Sequence, residues 1–293
     1  MKKILILTSR YDKRKKKLIK NISQLFHGQA DVKLDFLENF ASIISKNKLQ
    51  GYISGIRLSA FNFVYFSGKK AFLTAPKAIA MCLQSSSIPF LGYTSYTGNK
   101  LTSISKLAQD NIAIPDTVFC SASSTNQADL DFIKKLGFPI IIKKLNVHQT
   151  KGIYVVKTEE ELKKFLVKHP DEQFLFQKFI NIYQEYRILV IGGKATSAHT
   201  KVLRSYKAKK VGYINPNEEY KFIDLKSLPK RLITEAEKAA RALSLDIAGV
   251  DVCTNKEGGV YVFEANRDPG IGSEKDSPEI LGLVKYFSKA LFT

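Results

Sequence analysis

Two acids and one amide flank a single short turn near the carboxyl end of the chain. Asp251 lies in the first segment, Ala-Gly-Val-Asp-Val-Cys, while Glu264 and Asn266 lie in the second, Val-Tyr-Val-Phe-Glu-Ala-Asn. If the segments pair as strands about the middle of the turn, Asp251 opposes Glu264, and opposed residues have Cβ atoms about 4.5–5.5 Å apart. Asn266 then shares the face of Glu264 and opposes Gly249, because side chains on a strand alternate between faces.

The residues around these polar groups are apolar, which predicts a sheet buried on both sides. Two carboxylates that face each other there repel, so a proton, a basic side chain or a metal must offset their charge. Two carboxylates and one amide oxygen suit Mg²⁺ better than Zn²⁺. A surface hairpin with exposed acids is the alternative, and the apolar neighbours favour the buried site. The expected faces are Val250, Val252, Phe263 and Ala265 on one side and Cys253 and Val262 on the other.

Two lysines are candidates for binding phosphate. Lys143 ends the apolar run Phe-Pro-Ile-Ile-Ile, where a lysine is expected to enter a cleft, and residues 144–151 form a polar loop that closes at Gly152. Such a loop can act as a flap over phosphates that Lys143 neutralises. Lys100 begins a helix pattern, where its charge opposes the helix dipole and indicates a nearby anion. Each lysine alone also fits an ordinary surface residue, and only their combination with the hairpin predicts a nucleotide site.

These residues must be positioned by an α/β fold. The first 97 residues alternate strand patterns (3–8, 32–36, 49–53, 63–66) with helix patterns (16–26, 75–83), which predicts a mainly parallel sheet. A second unit covers residues 98–173 and a third covers 174–293, with the strand at 174–178 grouped in the third. Thr158 with Glu161 predicts a capping box, and Ser277 followed by Pro278 predicts the start of the last helix.

Composition narrows the class of protein. Of the 293 residues, 44% are hydrophobic and 25% are charged, as in ordinary folded proteins. No stretch approaches the roughly 18 apolar residues of a membrane span, so we expect a cytoplasmic protein without membrane contact. Cys82, Cys120 and Cys253 are widely spaced and form no CxxC pair, so neither a disulfide framework nor a zinc site is indicated.

The net charge of +19 indicates attraction to polyanions such as nucleotides, acidic peptides or nucleic acid. The simpler interpretation is a lysine-rich solvated surface, to which the basic run at residues 13–17 would belong. A nucleic-acid or ribosome-binding protein is therefore a rival hypothesis, although no aromatic-basic RNA-binding motif supports it.

From Asn99 onwards the motifs resemble those of the ATP-grasp superfamily, and within it the RimK-like ribosomal-protein glutamate ligases. The matching segments occur in the family's order, and AGVDV and FEANRDPG are the most specific of them. The resemblance implies a pre-ATP-grasp α/β domain (1–97) and two subdomains (98–173 and 174–293) that grip ATP. The other matching segments are NKLTSISKLAQDNIAIPDTVF, GFPIIIKKL, FLFQKFI and QEYRILVIGGKATSA.

The resemblance also implies roles for individual residues. Lys100 and Lys143 would contact the phosphates, and Glu185 would accept hydrogen bonds from the ribose hydroxyls. Arg187, with Lys143, would stabilise charge during catalysis. Gly270 and Gly272, near Arg267, would shape the pocket for the acceptor. The implied adenine hinge is Gln177, Lys178 and Phe179, and the implied Mg²⁺ ligands, which could also hold Mn²⁺, are Asp251, Glu264 and Asn266.

The implied activity is an ATP- and Mg²⁺-dependent ligase that joins a carboxylate to an amine through an acyl phosphate. Its substrates would be small molecules or peptides, an acidic or ribosomal protein is a further candidate partner, and an oligomer is left open. A carboxylase or a D-alanine-type ligase is a rival within the superfamily. His199, on a strand, is expected to be structural or pocket-lining.

The flap departs from the family pattern. It reads Lys-Leu-Asn-Val-His-Gln-Thr-Lys, where relatives carry several glycines, so its backbone has less freedom to wrap phosphate. A non-catalytic nucleotide-binding module is therefore an alternative. Candidate substitutes for the missing flap contacts are Lys144, His148 and Lys151. The family's Arg-x-Asn segment before the metal strands is also not evident, and Arg204, Lys207 and Lys209 are rival candidates for its arginine.

Overall fold

The structure is a computed structural model that describes residues 1–9, 13–46, 48–68, 74–95, 98–121, 127–145, 152–170, 172–201, 220–272 and 274–292. Over these ranges the chain forms four β-sheets with helices packed between them. None of the helices described is long and apolar enough to cross a membrane.

The amino-terminal sheet is parallel, as the alternating pattern predicts, with strand order β2-β1-β6-β7. Alternate residues of β1 face opposite helices: Ile4 and Ile6 pack with α1, whereas Leu5 and Leu7 pack with α2. Burial on both faces explains why this strand is a continuous apolar run. The elements are β1 (Lys2–Thr8), α1 (Lys13–Leu25), β2 (Ala30–Phe36), β3 (Phe40–Ser45), β4 (Lys48–Ile53), β5 (Ile56–Arg57), β6 (Phe63–Phe66), α2 (Thr74–Ser85) and β7 (Phe90–Leu91).

One part of this region differs from the prediction. Strands β3, β4 and β5 form a separate antiparallel sheet, whereas the sequence pattern assigned 49–53 to the parallel one. Ser54 and Gly55 both have positive φ, which suits the tight turn that folds β5 back on β4. Strand β3 was missed because its side chains are mostly exposed and carry no clear burial pattern.

The central sheet is antiparallel, with strand order β10-β9-β11-β8. Strand β11, which the sequence pattern grouped with the strands after it, instead pairs with β9 and β8. Its Phe174 and Phe176 are buried beneath the helices of this sheet. The elements are α3 (Lys100–Gln109), β8 (Thr117–Ser121), α4 (Gln127–Lys134), β9 (Ile140–Lys144), β10 (Ile153–Val156), α5 (Glu159–Lys168) and β11 (Gln173–Lys178).

The carboxyl-terminal sheet is antiparallel and has the order β14-β13-β12-β15-β16. Helix α6 covers one face, and the first half of α7 packs against the other. The same helix also contacts the amino-terminal sheet, where Phe287 lies 4.8 Å from the ring centroid of Phe63. The elements are β12 (Ile182–Ile191), β13 (Lys194–Lys201), β14 (Tyr220–Ile223), α6 (Lys230–Ala242), β15 (Ile247–Asn255), β16 (Val260–Asn266) and α7 (Pro278–Phe292).

Several local predictions are confirmed. Helix α7 begins at Pro278, and the Ser277 hydroxyl accepts a hydrogen bond from the Ile280 N–H at 3.3 Å. The Thr158 hydroxyl accepts from the Glu161 N–H and caps α5. The return bond of the predicted capping box differs, because the Glu161 Oε2 accepts from the Lys157 N–H at 2.7 Å. The three cysteines are free and buried, as expected for small apolar side chains.

The cap of α5 gives a stability prediction. Thr158→Ala should lower the free energy of unfolding by about 1 kcal/mol, because the Glu161 N–H loses its acceptor. Thr158→Ser keeps the hydroxyl and should remain within a few tenths of a kcal/mol of the wild type. Urea unfolding followed by circular dichroism measures both; equal stability of the Ala and Ser variants would show that the cap contributes nothing.

Candidate active site

The hairpin of β15 and β16 brings the two acids together as predicted. Asp251 is the register partner of Glu264, and Gly249 is the partner of Asn266. The register then shifts between Asp251 and Val252, which makes Phe263 the extra residue of a β-bulge. Counted from the turn, unbroken pairing would have placed Phe263 opposite Asp251, so the bulge is what sets the acids on one face.

The bulge corrects the predicted faces of the hairpin. Val262 pairs with Val252 and joins the core beneath α6, although the symmetric pairing had assigned it to the opposite face. Phe263 leaves that core, and its ring centroid lies 5.6 Å from the Lys143 Nζ.

The expectation that both acids are buried is wrong for Glu264. Asp251, on an inner strand, is 7% exposed, whereas the Glu264 side chain is exposed to solvent. The difference arises because β16 is the edge strand of the sheet, with no further strand beside it in the part of the chain that is described. Glu264 therefore keeps its hydration, and the desolvation cost falls mainly on Asp251.

Two neighbours offset the charge of Asp251. Arg187, its register partner on β12, donates from Nη1 to Oδ1 at 3.0 Å and to Oδ2 at 3.2 Å. The Asn266 Nδ2 donates to Oδ2 at 3.2 Å. Gly249 makes room for the arginine, since a Cβ there would lie 2.9 Å from both Nε and Nη2 of Arg187.

Lys143 brings the central sheet to the same place. Burial lowers the pKa of its ammonium group to about 8, the nearby Glu264 opposes this shift, and the charge of Lys100 adds to it. Glu185 and Asp251 also raise the pKa, with smaller effects. The two predicted phosphate lysines and three of the predicted acidic residues thus lie within electrostatic reach of one ammonium group. Lys100 Nζ also donates to the Lys144 carbonyl at 3.4 Å.

The predicted adenine-hinge residues are partly engaged within the protein. Gln177 is 2% exposed, and its Nε2 donates to the Thr117 hydroxyl at 2.9 Å. The Lys178 N–H donates to the Asp116 carbonyl at 2.9 Å, and its side chain is exposed. Phe179 follows directly and is half-buried. Sequence reasoning could not tell these internal hydrogen bonds from groups free to meet a base.

Glu185 lies on β12 two residues before Arg187 and is half-buried. Its register partner is Cys253, whose thiol pKa rises to about 12 through burial and the Glu185 charge.

Of the predicted flap residues, Lys144 pairs with Glu172 at 2.8 Å. The other predicted substitutes in the flap, His148 and Lys151, and the basic residues Arg204, Lys207 and Lys209 lie outside the described residues.

His199 and Glu279 also adjoin the site, although the sequence did not mark either residue as functional. His199 is the register partner of Arg187, and its Nδ1 lies 3.9 Å from the Glu279 Oε1. Glu279 is 5% exposed and accepts a hydrogen bond from the Gly272 N–H. In sequence Glu279 looks like an acid that complements the dipole of a helix start, so no signal separated it from a surface residue.

The donor set fits a hard cation. Within the described ranges, no cluster of three or more His, Cys, Asp or Glu side chains could hold a metal ion. The hairpin instead offers two carboxylates and an amide, an oxygen set that suits Mg²⁺ and leaves further positions for the oxygens of a ligand. A cation that binds Asp251 must compete with Arg187 and Asn266 for its oxygens.

A family model described as RimK-like ATP-grasp domain matches residues 97–280, more than half of the chain. The chain belongs to this family. This match confirms the resemblance that the segments AGVDV and FEANRDPG indicated.

Two curated relatives of this RimK-like chain show what it is similar to. A "Probable alpha-L-glutamate ligase" of Syntrophotalea carbinolica is 29% identical over 60% of this chain and 58% of its own length. The "Coenzyme gamma-F420-2:alpha-L-glutamate ligase" of Methanocaldococcus jannaschii is 28% identical over 65% of this chain and 67% of its own. The match to the first therefore spans little more than half of that relative.

The fold is also that of solved ATP-grasp ligases. The structure of the ATP-grasp ligase PsnB complexed with minimal precursor, Mg and ADP superimposes with a TM-score of 0.75, covering 98% of this chain and 97% of that one. The sequence identity is 12%, so this similarity establishes the architecture alone.

His199 gives a prediction on pH. Burial and the neighbouring Arg187 lower its pKa from 6.5 to about 4, so between these values the unfolded chain binds a proton that the folded protein does not. The stability that comes from keeping the His199 imidazole neutral is complete at neutral pH, and it is lost as pH falls from about 6.5 towards 4. Between about pH 7 and pH 5 the wild type should lose about 2 kcal/mol more than His199→Gln. Urea unfolding at both pH values measures this difference, and parallel curves would contradict the buried neutral imidazole.

Proposed function

We propose that this protein is an ATP- and Mg²⁺-dependent ligase that joins a carboxylate to an amine. The observation that carries the proposal is the in-register pair Asp251 and Glu264 with Asn266 beside it, facing the lysines of the central sheet, in a RimK-like ATP-grasp chain. Relatives named as glutamate ligases support the same reaction type.

In this proposal Asp251, Glu264 and Asn266 hold Mg²⁺, with Mn²⁺ as a substitute. When bound, the ion would draw charge from the phosphate oxygens of ATP. A cation that binds Asp251 would displace Arg187 from a carboxylate oxygen. The released guanidinium group could then donate a hydrogen bond to a substrate anion. Arg187 is then the residue that stabilises negative charge on the reacting carboxylate and phosphoryl group.

Lys143 and Lys100 bind the phosphates. Lys143 is half-buried at the end of β9, so a phosphate contact there is poorly screened by water and correspondingly strong. Glu185 accepts from the ribose hydroxyls, and Phe179 with the backbone around Lys178 borders the adenine. The Lys178 N–H already donates to Asp116, so in this proposal the Lys178 carbonyl meets the base.

The reaction has two steps. A carboxylate oxygen of the first substrate attacks the γ-phosphorus, the bond to the bridging oxygen breaks, and ADP leaves. The amine nitrogen then attacks the acyl carbon, phosphate departs with the electron pair of the C–O bond, and the amine gives a proton to solvent. The protein supplies positioning and charge stabilisation, and needs no covalent nucleophile of its own.

We infer that the substrates are amino acids or peptides. The relatives named as alpha-L-glutamate ligases favour glutamate as one partner, and a net charge of +19 favours an acidic peptide or protein tail as the other. The basic run gives little support to the nucleic-acid alternative, because Lys15 donates to Ser67 and Lys17 pairs with Glu274 within the chain.

Glu264→Gln tests the proposal. The substitution keeps the size and exposure of the side chain but removes one of two charges, so ADP release should fall at least a hundredfold while the melting temperature stays near that of the wild type. Glu257→Gln, an exposed acid in the turn of the same hairpin, is the matched control and should keep full activity.

The assay measures ADP release with ATP, Mg²⁺ and pooled amino acids and short peptides, followed by mass spectrometry of any conjugate. Normal turnover by Glu264→Gln would contradict the assignment of the metal. ATP binding without turnover by the wild type in any mixture would favour the non-catalytic module.

A further inference from the structure

We infer that Glu279 is a positioning residue that holds the loop at residues 267–272 in the conformation that binds the amine. The inference rests on the proposed function and on the role that the family resemblance implies for Gly270 and Gly272, which would shape the pocket for the acceptor. It assigns to the Glu279 side chain, which lies outside the hairpin, the affinity for one of the two substrates.

The geometry joins Glu279 to the loop directly. Its Oε2 accepts a hydrogen bond from the Gly272 N–H, and its Oε1 faces the His199 Nδ1 at 3.9 Å. Glycine at position 272 allows this close approach, since an added Cβ would lie only 2.8 Å from Oε2. The contact therefore ties the end of the loop to α7.

The contact is not explained by helix capping. Ser277 already accepts from the Ile280 N–H at the start of α7, so the carboxylate of Glu279 serves the loop instead of its own helix. Further along the same buried face the helix is apolar, with Ile280, Leu283 and Phe287 fully buried. An acid in that series is costly, because burial opposes its charged form and raises its pKa. A role in packing alone would be met better by leucine.

The polar groups around Glu279 lie on the sheet face that carries the hairpin acids. His199 is opposite Arg187 on the neighbouring strand, and Arg187 contacts Asp251 at 3.0 Å. Ser197 is two residues from His199 on the same strand face, 3% exposed, and its hydroxyl has no hydrogen-bond partner among the described residues. The charges that face Glu279 from these elements are those of Arg187 and, when protonated, His199. Polar groups thus connect Asp251 to the loop at residues 267–272 by way of Arg187, His199 and Glu279.

The inference predicts a selective effect on the amine. Without the carboxylate the loop loses a charge-assisted hydrogen bond, and the acceptor must order the loop when it binds. The phosphate lysines and the hairpin acids are untouched, so the affinity for ATP should not change.

The test compares Glu279→Leu, which removes the acceptor atom, with Glu279→Gln, which keeps an oxygen for the Gly272 N–H. Glu235→Leu is the matched control: Glu235 is likewise buried, at 7% exposure, and accepts from a backbone N–H, that of Ala113 at 3.0 Å, but it lies on α6 away from the loop. Steady-state kinetics use ATP, a short peptide ending in glutamate, and L-glutamate as the amine probe.

Glu279→Leu should raise the KM for L-glutamate tenfold or more, about the factor that one such hydrogen bond is worth, with the KM for ATP within twofold of the wild type. Glu279→Gln should restore the KM to within about threefold, and Glu235→Leu should lower only the melting temperature. If Glu279→Leu changes the melting temperature alone, as the control does, the positioning role is refuted.

Hydrogen exchange of the peptide that covers residues 267–272 provides a readout that does not require activity. Exchange should be faster in Glu279→Leu than in Glu279→Gln and in Glu235→Leu, and equal rates would overturn the inference. If the wild type couples no amine, the proposed function fails while this comparison still decides the role of Glu279. Should Glu279→Leu not fold, Gly272→Ala, whose added Cβ pushes the loop and the Glu279 carboxylate apart, takes its place in both measurements.

Discussion

Electrostatic repulsion between two carboxylates on neighbouring strands is the constraint on which the site depends. Asp251 and Glu264 are register partners, so the hairpin holds their backbones opposite each other. The surrounding structure supplies cations on two sides: Arg187 binds Asp251 directly, and Lys143 approaches from the central sheet. Like charges on opposed residues are tolerated because Arg187 lies 3.0 Å from Asp251 and Lys143 lies within electrostatic reach of Glu264.

The fold accounts for this arrangement through one face of the carboxyl-terminal sheet. Its apolar end, with Leu189, Ile191 and Ile247, is covered by α7 and the amino-terminal sheet. Its polar end carries Arg187 and the hairpin acids, and the end of β9 lies nearby. The boundary between the two ends is where Glu279 contacts Gly272, so the packing of α7 and the geometry of the site are set by the same helix.

The sequence was sufficient for features with a strong local signal. The opposition of Asp251 and Glu264 was predicted by counting about an assumed centre of the turn, and the structure reaches it through the bulge. The start of α7 was predicted from Ser277 and Pro278. The bulge at Phe263 could not be found in this way, because an extra residue leaves no mark in a pattern of alternating valines. The exposure of Glu264 was missed for a related reason: the position of a strand at the edge of its sheet depends on the whole topology.

Features that depend on contacts between distant segments were also out of reach of the sequence. The grouping of residues 174–178 with the strands that follow them came from proximity in the chain, whereas their pairing with β9 and β8 depends on contacts between distant segments. Glu279 was overlooked because an acid in the first turn of a helix has a common local explanation. Its contact with Gly272 is apparent only once the loop and the helix are seen together.

Anomalous diffraction from crystals grown with Mn²⁺ and a non-hydrolysable ATP analogue locates the metal directly. We expect an anomalous peak about 2.1 Å from oxygens of Asp251, Glu264 and Asn266, with the analogue's phosphates on the far side of the ion near Lys143. A peak elsewhere, or Asp251 still bound only to Arg187 and Asn266, would contradict it.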